Sequence, residues 1–290
     1  ESPVFDDDIQ GTAAVCLAGL YSALRITGQD LKDQRLLFLG AGEAGIGIGE
    51  LTASAMAAQG LSLPEARGRC WFVDSRGLVV KSRTDLTAHK VPFAHDHAPL
   101  RDFLDVVHAL KPTAIIGVSA QAGMFTREVL EAMAKYNERP LVFALSNPTS
   151  KAECTAREAY QWTNGRAIYA SGSPFEPVTL NGQTYRPGQG NNAYIFPGVG
   201  LGALVSGAAR ITDEMFAAAA RTLSELVSED DLRQGLIYPP LSKIRSVSAR
   251  IAVAVARVAY ARGLATQPSP ADLETAVQGS MYEPNYNLYA

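Results

Sequence analysis

The sequence predicts an α/β fold: a doubly wound parallel sheet followed by C-terminal helices. Three observations carry this. Short, continuous apolar runs recur, helical segments separate them, and beyond residue 172 the alternation gives way to helices alone. Strands buried on both faces read as unbroken apolar runs, and strands alternating with helices are the pattern of βαβ units.

In order, Gly11–Thr27 reads as a helix, with Val15, Leu17, Leu20 and Leu24 near helical spacing. Leu36–Leu39 is a strand ending at Gly40, Glu43–Gln59 a helix rich in small residues, and Cys70–Val73 a strand closing at Asp74. Helices at Asp102–Leu110 and Thr126–Tyr136 bracket a strand at Ala114–Val118, and Leu141–Leu145 is the fourth strand. Ser150 and Glu153 have the spacing of a capping box opening another helix, and Ala167–Ala170 is a fifth strand. Residues 173–190, with three prolines and three glycines, predict an irregular loop or a hairpin. Helices follow at Asn192–Ala209, Asp213–Val227 and Ser242–Arg262, the last two separated by Pro239-Pro240. The tail from Thr266, with Pro268, Pro270 and Pro284, is expected to wrap a surface. The expected organisation is a linking helix with an acidic segment (1–34), a Rossmann-like domain (35–190) and C-terminal helices packed on it (191–290).

Composition narrows the function classes. Of 290 residues, 47% are hydrophobic and 19% charged, which excludes a disordered chain and points to surface covered by another domain or subunit. A net charge of −3 gives no footprint for nucleic acid or an acidic membrane. The longest uncharged run, between Arg186 and Arg210, carries Gln189, Asn191, Asn192 and two prolines, so it is not read as a membrane span. Cys16, Cys70 and Cys154 are odd in number and far apart, which favours a reducing, intracellular compartment without choosing among cytoplasm, plastid and mitochondrion. The first residues resemble no signal or transit peptide and lack an initiator Met, so the chain reads as the interior of a longer protein.

Three segments carry chemistry. Gly40-Ala41-Gly42-Glu43-Ala44-Gly45 follows a strand and opens a helix, the context in which a glycine turn delivers a diphosphate to a helix N-terminus. Asp74 closes the next strand as the partner acid, 29 residues past Gly45 rather than the usual ~20, which places an insertion around Leu61–Arg69. Asp6-Asp7-Asp8 precedes an apolar helix; these acids either complement the helix dipole or offer hard oxygen ligands suited to Mg²⁺ or Mn²⁺. Amides at strand ends and loops, Asn147, Asn191 and Asn192, can donate to a carboxylate without adding charge, and Asn147 can alternatively cap its own turn.

Together these stretches resemble the NAD(P)-binding half of malic enzyme: Phe-Asp-Asp-Asp-Ile-Gln-Gly-Thr (5–12), Phe-Leu-Gly-Ala-Gly-Glu-Ala-Gly-Ile-Gly (38–47), Val-Asp-Ser-Arg-Gly-Leu (73–78), Leu-Ser-Asn-Pro-Thr (145–149), Ala-Ser-Gly-Ser-Pro-Phe (170–175) and Gly-Gln-Gly-Asn-Asn-Ala-Tyr-Ile-Phe-Pro-Gly (188–198). The resemblance implies oxidative decarboxylation of (S)-malate to pyruvate and CO₂. It implies Asp8 as a metal-binding aspartate with Asp7 beside it at the catalytic site. Thr12, Gly40, Ala41, Gly42, Glu43 and Ala44 become dinucleotide-binding positions, and Asn147, Asn191 and Asn192 the amides near nicotinamide and substrate. Asp74 alone would favour NAD, by accepting from a ribose 2′-OH and repelling a 2′-phosphate. The NADP-dependent members, however, resemble this chain in a Ser after the acid (Ser75) and a Lys two residues before a proline (Lys90-Val91-Pro92), with Arg83 among the nearby cations. NADP is therefore expected, with NAD possible, together with a homo-oligomer. The family's general acid tyrosine, general base lysine and remaining metal ligands have no counterpart in these 290 residues, so this chain alone is expected to be inactive. Two other readings are a non-catalytic dinucleotide-binding module and another two-domain NAD(P) dehydrogenase.

Overall fold

A computed structural model describes residues 3–283. A π-helical turn, Asp7–Gly11, runs into helix α1 (Thr12–Thr27). Strand β1 (Leu36–Leu39), α2 (Glu43–Ala57), α3 (Leu63–Arg67), β2 (Cys70–Asp74) and the two-residue β3 (Gly77–Leu78) follow. Next come α4 (Phe103–Leu110), β4 (Ala114–Gly117), α5 (Arg127–Tyr136), β5 (Leu141–Ala144), α6 (Ala156–Trp162) and β6 (Ile168–Ser171). A hairpin of β7 (Val178–Leu180) and β8 (Gln183–Tyr185) precedes β9 (Gly188–Gln189). The remainder is helical: α7 (Phe196–Ser206), α8 (Asp213–Glu225), α9 (Glu229–Arg233), α10 (Ile244–Ala261) and α11 (Leu273–Gly279).

The main sheet has the order β3-β2-β1-β4-β5-β6-β9. All its pairings are parallel except β2–β3. Two-residue strands at both edges leave little free ladder to recruit another chain. Because successive side chains point to opposite faces, each apolar run feeds two cores. Leu36, Phe38, Phe72, Ile116 and Phe143 join α1, α2 and the C-terminal helices. Leu37, Leu39, Val73, Ile115 and Val142 join Phe103, Leu130, Met133 and Tyr160 from α4, α5 and α6.

The stretch Asp7–Thr27 is long and apolar enough to cross a membrane, but 67% of its most apolar window is buried within the protein. Helix α1 packs between α2 and α8, and a helix apolar all round belongs in such a place. From its C-terminal turn, Arg25 donates to the carbonyls of Ser224 (2.6 Å) and Val227 (3.0 Å), satisfying the end of α8.

Helix α3 occupies the place where the sequence required an insertion, capped by Ser62 and Glu65. Of the irregular loop or hairpin expected over 173–190, the structure forms a hairpin of β7 and β8, and β9 adds a strand that the sequence did not reveal. The expected capping box at Ser150 and Glu153 does not form: residues Thr149–Lys151 make a single 3₁₀ turn. The capping box lies at Thr155 and Glu158 and opens α6. Glu153 is instead fully buried, its carboxylate turned toward the ends of β4 and β5. The tail is more regular than its prolines suggested, since Asp272 caps α11; Pro284 lies outside the described residues.

Helices α7 and α10 meet through glycine. A Cβ at Gly202 would stand 2.6 Å from the Ala252 carbonyl oxygen and 2.8 Å from Val255 Cβ, and one at Gly198 2.9 Å from the Ser248 carbonyl. Gly202→Ala should therefore cost about 1–3 kcal/mol, as overpacking does. Urea unfolding checks this: a lower midpoint at unchanged slope is expected, and unchanged stability would show that the two helices separate freely.

Candidate functional site

The strand order reverses between β1 and β4, which opens a crevice at their carboxyl ends. Gly40 leaves β1 with φ +113°, a region L side chains rarely adopt, and a Cβ there would lie 2.7 Å from the Val118 carbonyl oxygen. At Gly45 a Cβ would lie 2.6 Å from the Gly40 carbonyl oxygen, so this glycine lets α2 close on the strand. Gly42 differs: nothing lies within 4 Å of its Cβ position. It is the N-cap of α2 and provides no side-chain cap, so the first N–H groups of the helix stay available to an anion.

Two cavities flank this turn, with Val118 on the border of both. The first, about 460 Å³, is lined by Gly40, Ala41, Gly42, Asp74, Ser75, Lys90, Arg101, Ser119 and Gln121. The second, about 370 Å³, is lined by Asp8, Thr12, Ala44, Ser146, Asn147, Gly172, Gly190, Asn191 and Asn192. Sequence reasoning missed Arg101, Ser119 and Gln121, whose segments carry no recognisable motif. Glu43 lines neither cavity; it faces outward, 3.4 Å from His89 Nδ1. Arg83 also lines neither and acts on the site only through Asp74.

At the first cavity Asp74 is fully engaged. Arg83 donates to Oδ1 (2.8 Å) and Oδ2 (3.0 Å), Lys90 to Oδ2 (2.8 Å), and the Arg76 N–H to Oδ1 (2.9 Å). A carboxylate has about four acceptor sites, so none remains for a ribose hydroxyl. Burial pushes the Asp74 pKa up, but the donors from Arg83, Lys90 and Arg76 outweigh it and hold the group below the ordinary range. Arg83 also donates to both oxygens of Asp85 (3.0 and 2.7 Å), lowering that exposed carboxyl to about 2.

At the second cavity the acidic segment divides. Asp6 caps the π-helical turn by accepting from the Ile9 N–H. Asp8 is exposed toward the cavity. Asp7 turns inward: Asn192 Nδ2 donates to its carbonyl (2.9 Å) and to Oδ2 (3.3 Å), while Oδ1 is buried without a partner. Burial raises the Asp7 pKa, the Asn192 hydrogen bond opposes this, and repulsion from Asp8 and Asp6 adds to the rise. Asn192 also meets Thr12 Oγ1 at 3.1 Å. Asn147 Oδ1 accepts from Ser173 Oγ (2.8 Å), and Asn191 caps the Ala193 N–H. Among the described residues no group of three or more His, Cys, Asp or Glu side chains could hold a metal ion.

The profile of the family described as "Malic enzyme, NAD binding domain" matches residues 9–260. The chain belongs to the malic enzyme family. It is 55% identical over 289 residues to "NADP-dependent malic enzyme 4, chloroplastic" of Arabidopsis thaliana, covering 99% of this chain and 45% of that protein. It is 56% identical to the "NADP-dependent malic enzyme" of Vitis vinifera, covering 98% and 49%. Among solved structures, the Entamoeba histolytica malic enzyme superposes with a TM-score of 0.77 at 25% identity, over 95% of this chain and 52% of that one. The chain spans about half the length of the curated relatives it matches.

The ion-pair cluster at Asp74 sets a pH dependence. Both Asp74 and Asp85 have folded-state pKa values below their unfolded values. Their contribution is complete above the unfolded carboxylate pKa of about 4 and is lost as the pH falls through the folded values. Arg83→Gln should thus lower stability fully at pH 6, and its deficit relative to the native sequence should shrink between about pH 4 and pH 2. Thermal melts across that range test this; a deficit that widens in acid would contradict the assignment.

Proposed function

We propose that this chain is the cofactor-binding half of an NADP-dependent malic enzyme, which oxidises and decarboxylates (S)-malate to pyruvate and CO₂ as NADP is reduced. The observation that carries the proposal is the shared crevice: a phosphate-accepting glycine turn on one side of Val118, and an acid with amides on the other. The names of the relatives support the same reaction. The division into residues 1–34, 35–190 and 191–290 belongs to this reading.

The chain's own residues have distinct tasks in it. The N–H groups opening α2 hold the diphosphate. Lys90 and Ser75 receive the 2′-phosphate; Lys90 approaches it already paired with Asp74, and the saturation of Asp74 removes the acceptor that would select a ribose 2′-OH. Bound NADP supplies the hydride acceptor. Asn147 and Asn192 orient the substrate carboxylate, and Thr12 and Asp7 fix the Asn192 amide. Asp8 contributes one oxygen toward Mg²⁺ or Mn²⁺, which would act as a Lewis acid on the substrate oxygens. One carboxylate is far from the six or so oxygens such an ion takes. The other ligands, the acid–base pair and the subunit contacts of a homo-oligomer belong, in this reading, to the rest of the enzyme.

The isolated chain should bind NADPH and show no malate-dependent turnover, because losing a general acid or base costs about 10²–10⁴-fold each. Titrating NADP and NAD separately into native and Lys90→Gln chains tests the cofactor assignment. NADP binding should weaken about 5- to 150-fold, the equivalent of about 1–3 kcal/mol for a charged hydrogen bond, with NAD binding unchanged. Equal effects on both cofactors would place the 2′-phosphate elsewhere, and malate turnover at about 10 s⁻¹ would refute the half-site reading.

Asp8→Asn in the complete enzyme keeps the side chain's size and removes its charge. A marked loss of Mn²⁺ affinity with the fold intact is expected by equilibrium titration. Unchanged affinity would leave Asp8 only its role beside the helix dipole.

A further inference from the structure

Glu153 is fully buried, and no lysine, arginine or histidine pairs with it among the described residues. Four donors converge on its carboxylate instead. The Ser119 N–H (3.1 Å), Ser119 Oγ (3.2 Å) and Ser146 Oγ donate to Oε1, and the Ser146 N–H (3.4 Å) donates to Oε2. Ser119 follows β4 and lines the Asp74 cavity; Ser146 follows β5 and lines the Asp8 cavity. One carboxylate therefore joins the loops that floor the two halves of the crevice.

The direction of these hydrogen bonds is fixed. Ser146 Oγ accepts from the Ala120 N–H (2.9 Å), so its proton points onward to Glu153. Ser119 Oγ likewise accepts from the Gln121 N–H (3.3 Å). Each hydroxyl relays a backbone donor into the carboxylate, and only an acceptor-only group satisfies all four. The backbone holds Glu153 in place, since its carbonyl accepts from the Phe125 N–H (2.9 Å) and that of Ala152 from Gly123 (3.2 Å). A Cβ at Gly117 would overlap the carboxyl, which accounts for glycine at the end of β4.

We infer that Glu153 is a positioning residue for the dinucleotide: its carboxylate sets the relative placement of the Ser119 and Ser146 loops and thereby the spacing of the adenosine and nicotinamide subsites. This rests on the NADP-binding reading above. In Glu153→Gln the NH₂ group would face either the Ser146 N–H or, flipped, the Ser119 N–H and two hydroxyls whose protons already point inward, and the loops would shift. A displacement near 1 Å costs on the order of 10²-fold in rate where reacting groups must be positioned, and a smaller loss is expected for binding alone.

The test compares Glu153→Gln with Glu158→Gln in the whole protein, by NADPH fluorescence titration and thermal melts. Glu158 caps α6 five residues further on and touches neither cavity. Glu153→Gln should weaken NADPH binding about tenfold or more, the equivalent of about 1.5 kcal/mol for a hydrogen bond to a charged group, whereas Glu158→Gln, which still supplies the cap's acceptor, should leave affinity unchanged and the melting temperature close to that of the native protein. If Glu153→Gln does not fold, the Ser119→Ala/Ser146→Ala double variant, which removes the same relays without burying a mismatched amide, should show the same loss of affinity. Native protein that binds NADPH alongside folded variants that bind it equally well would overturn this inference alone. Native protein that fails to bind NADPH would overturn the NADP reading and this inference with it.

Discussion

The close approach of two chain segments governs the rest of this molecule. Where β1 ends, the Gly40 backbone runs against the Val118 carbonyl at the end of β4, and Gly45 brings α2 down onto Gly40. No side chain fits in either gap. The contact arises because strand order reverses between β1 and β4, and it gives the crevice both its depth and its central wall. Val118 borders both cavities, and the helices that follow β1 and β4 join the cores on opposite faces of the sheet.

Charge is then distributed over this frame unevenly. At the Asp74 side, two cations and a backbone N–H converge on one carboxylate, and the Asp74 and Arg83 side chains are only 11% exposed. A pair that dry is stable only when every lone pair is met, and here every one is. The same saturation makes the acid unavailable to a ligand while leaving Lys90 at the cavity wall. Asp74 therefore acts as a structural anchor for two basic side chains, which is why the acid at a strand end does not by itself report cofactor preference.

Much of this was legible in the sequence because the signals are local. Continuous apolar runs such as Leu36–Leu39 are decoded by burial on both faces, and Gly40, Gly42 and Gly45 by the turn they must make. The extra length before Asp74 implied an insertion around Leu61–Arg69, and α3 lies there. What could not be read depends on contacts distant in sequence. Ser150 and Glu153 have a capping-box spacing, but Ser119 and Ser146 reach Glu153 from the ends of neighbouring strands, and the helix starts at Thr155 instead. Strand β9 is two residues long and is defined only by its pairing with β6. At the site, Asn147 could equally have been a turn cap from local sequence; its placement with Asn192 and Asp8 around one cavity is a tertiary fact.

The acidic segment follows a different logic from the Asp74 cluster. Asp6 has a local reason to be where it is, since it caps the turn, and Asp8 lies in water beside a helix N-terminus where a negative charge is favourable. Asp7 is compensated only in part: Asn192 donates to Oδ2, but the side chain is half-buried, has an acid on either side, and keeps Oδ1 without a donor. Its raised pKa means that ionising it weakens the fold, so this contribution to stability is complete below the ordinary carboxylate pKa and is lost as the pH rises through the raised folded value. A sequence selected for stability alone has an obvious remedy, an amide at this position. The acid at this position therefore marks a local conflict between folding and charge, the kind of conflict expected at functional sites. The Asn192 amide, held by both Asp7 and Thr12, joins this half-buried acid to the wall of the Asp8 cavity.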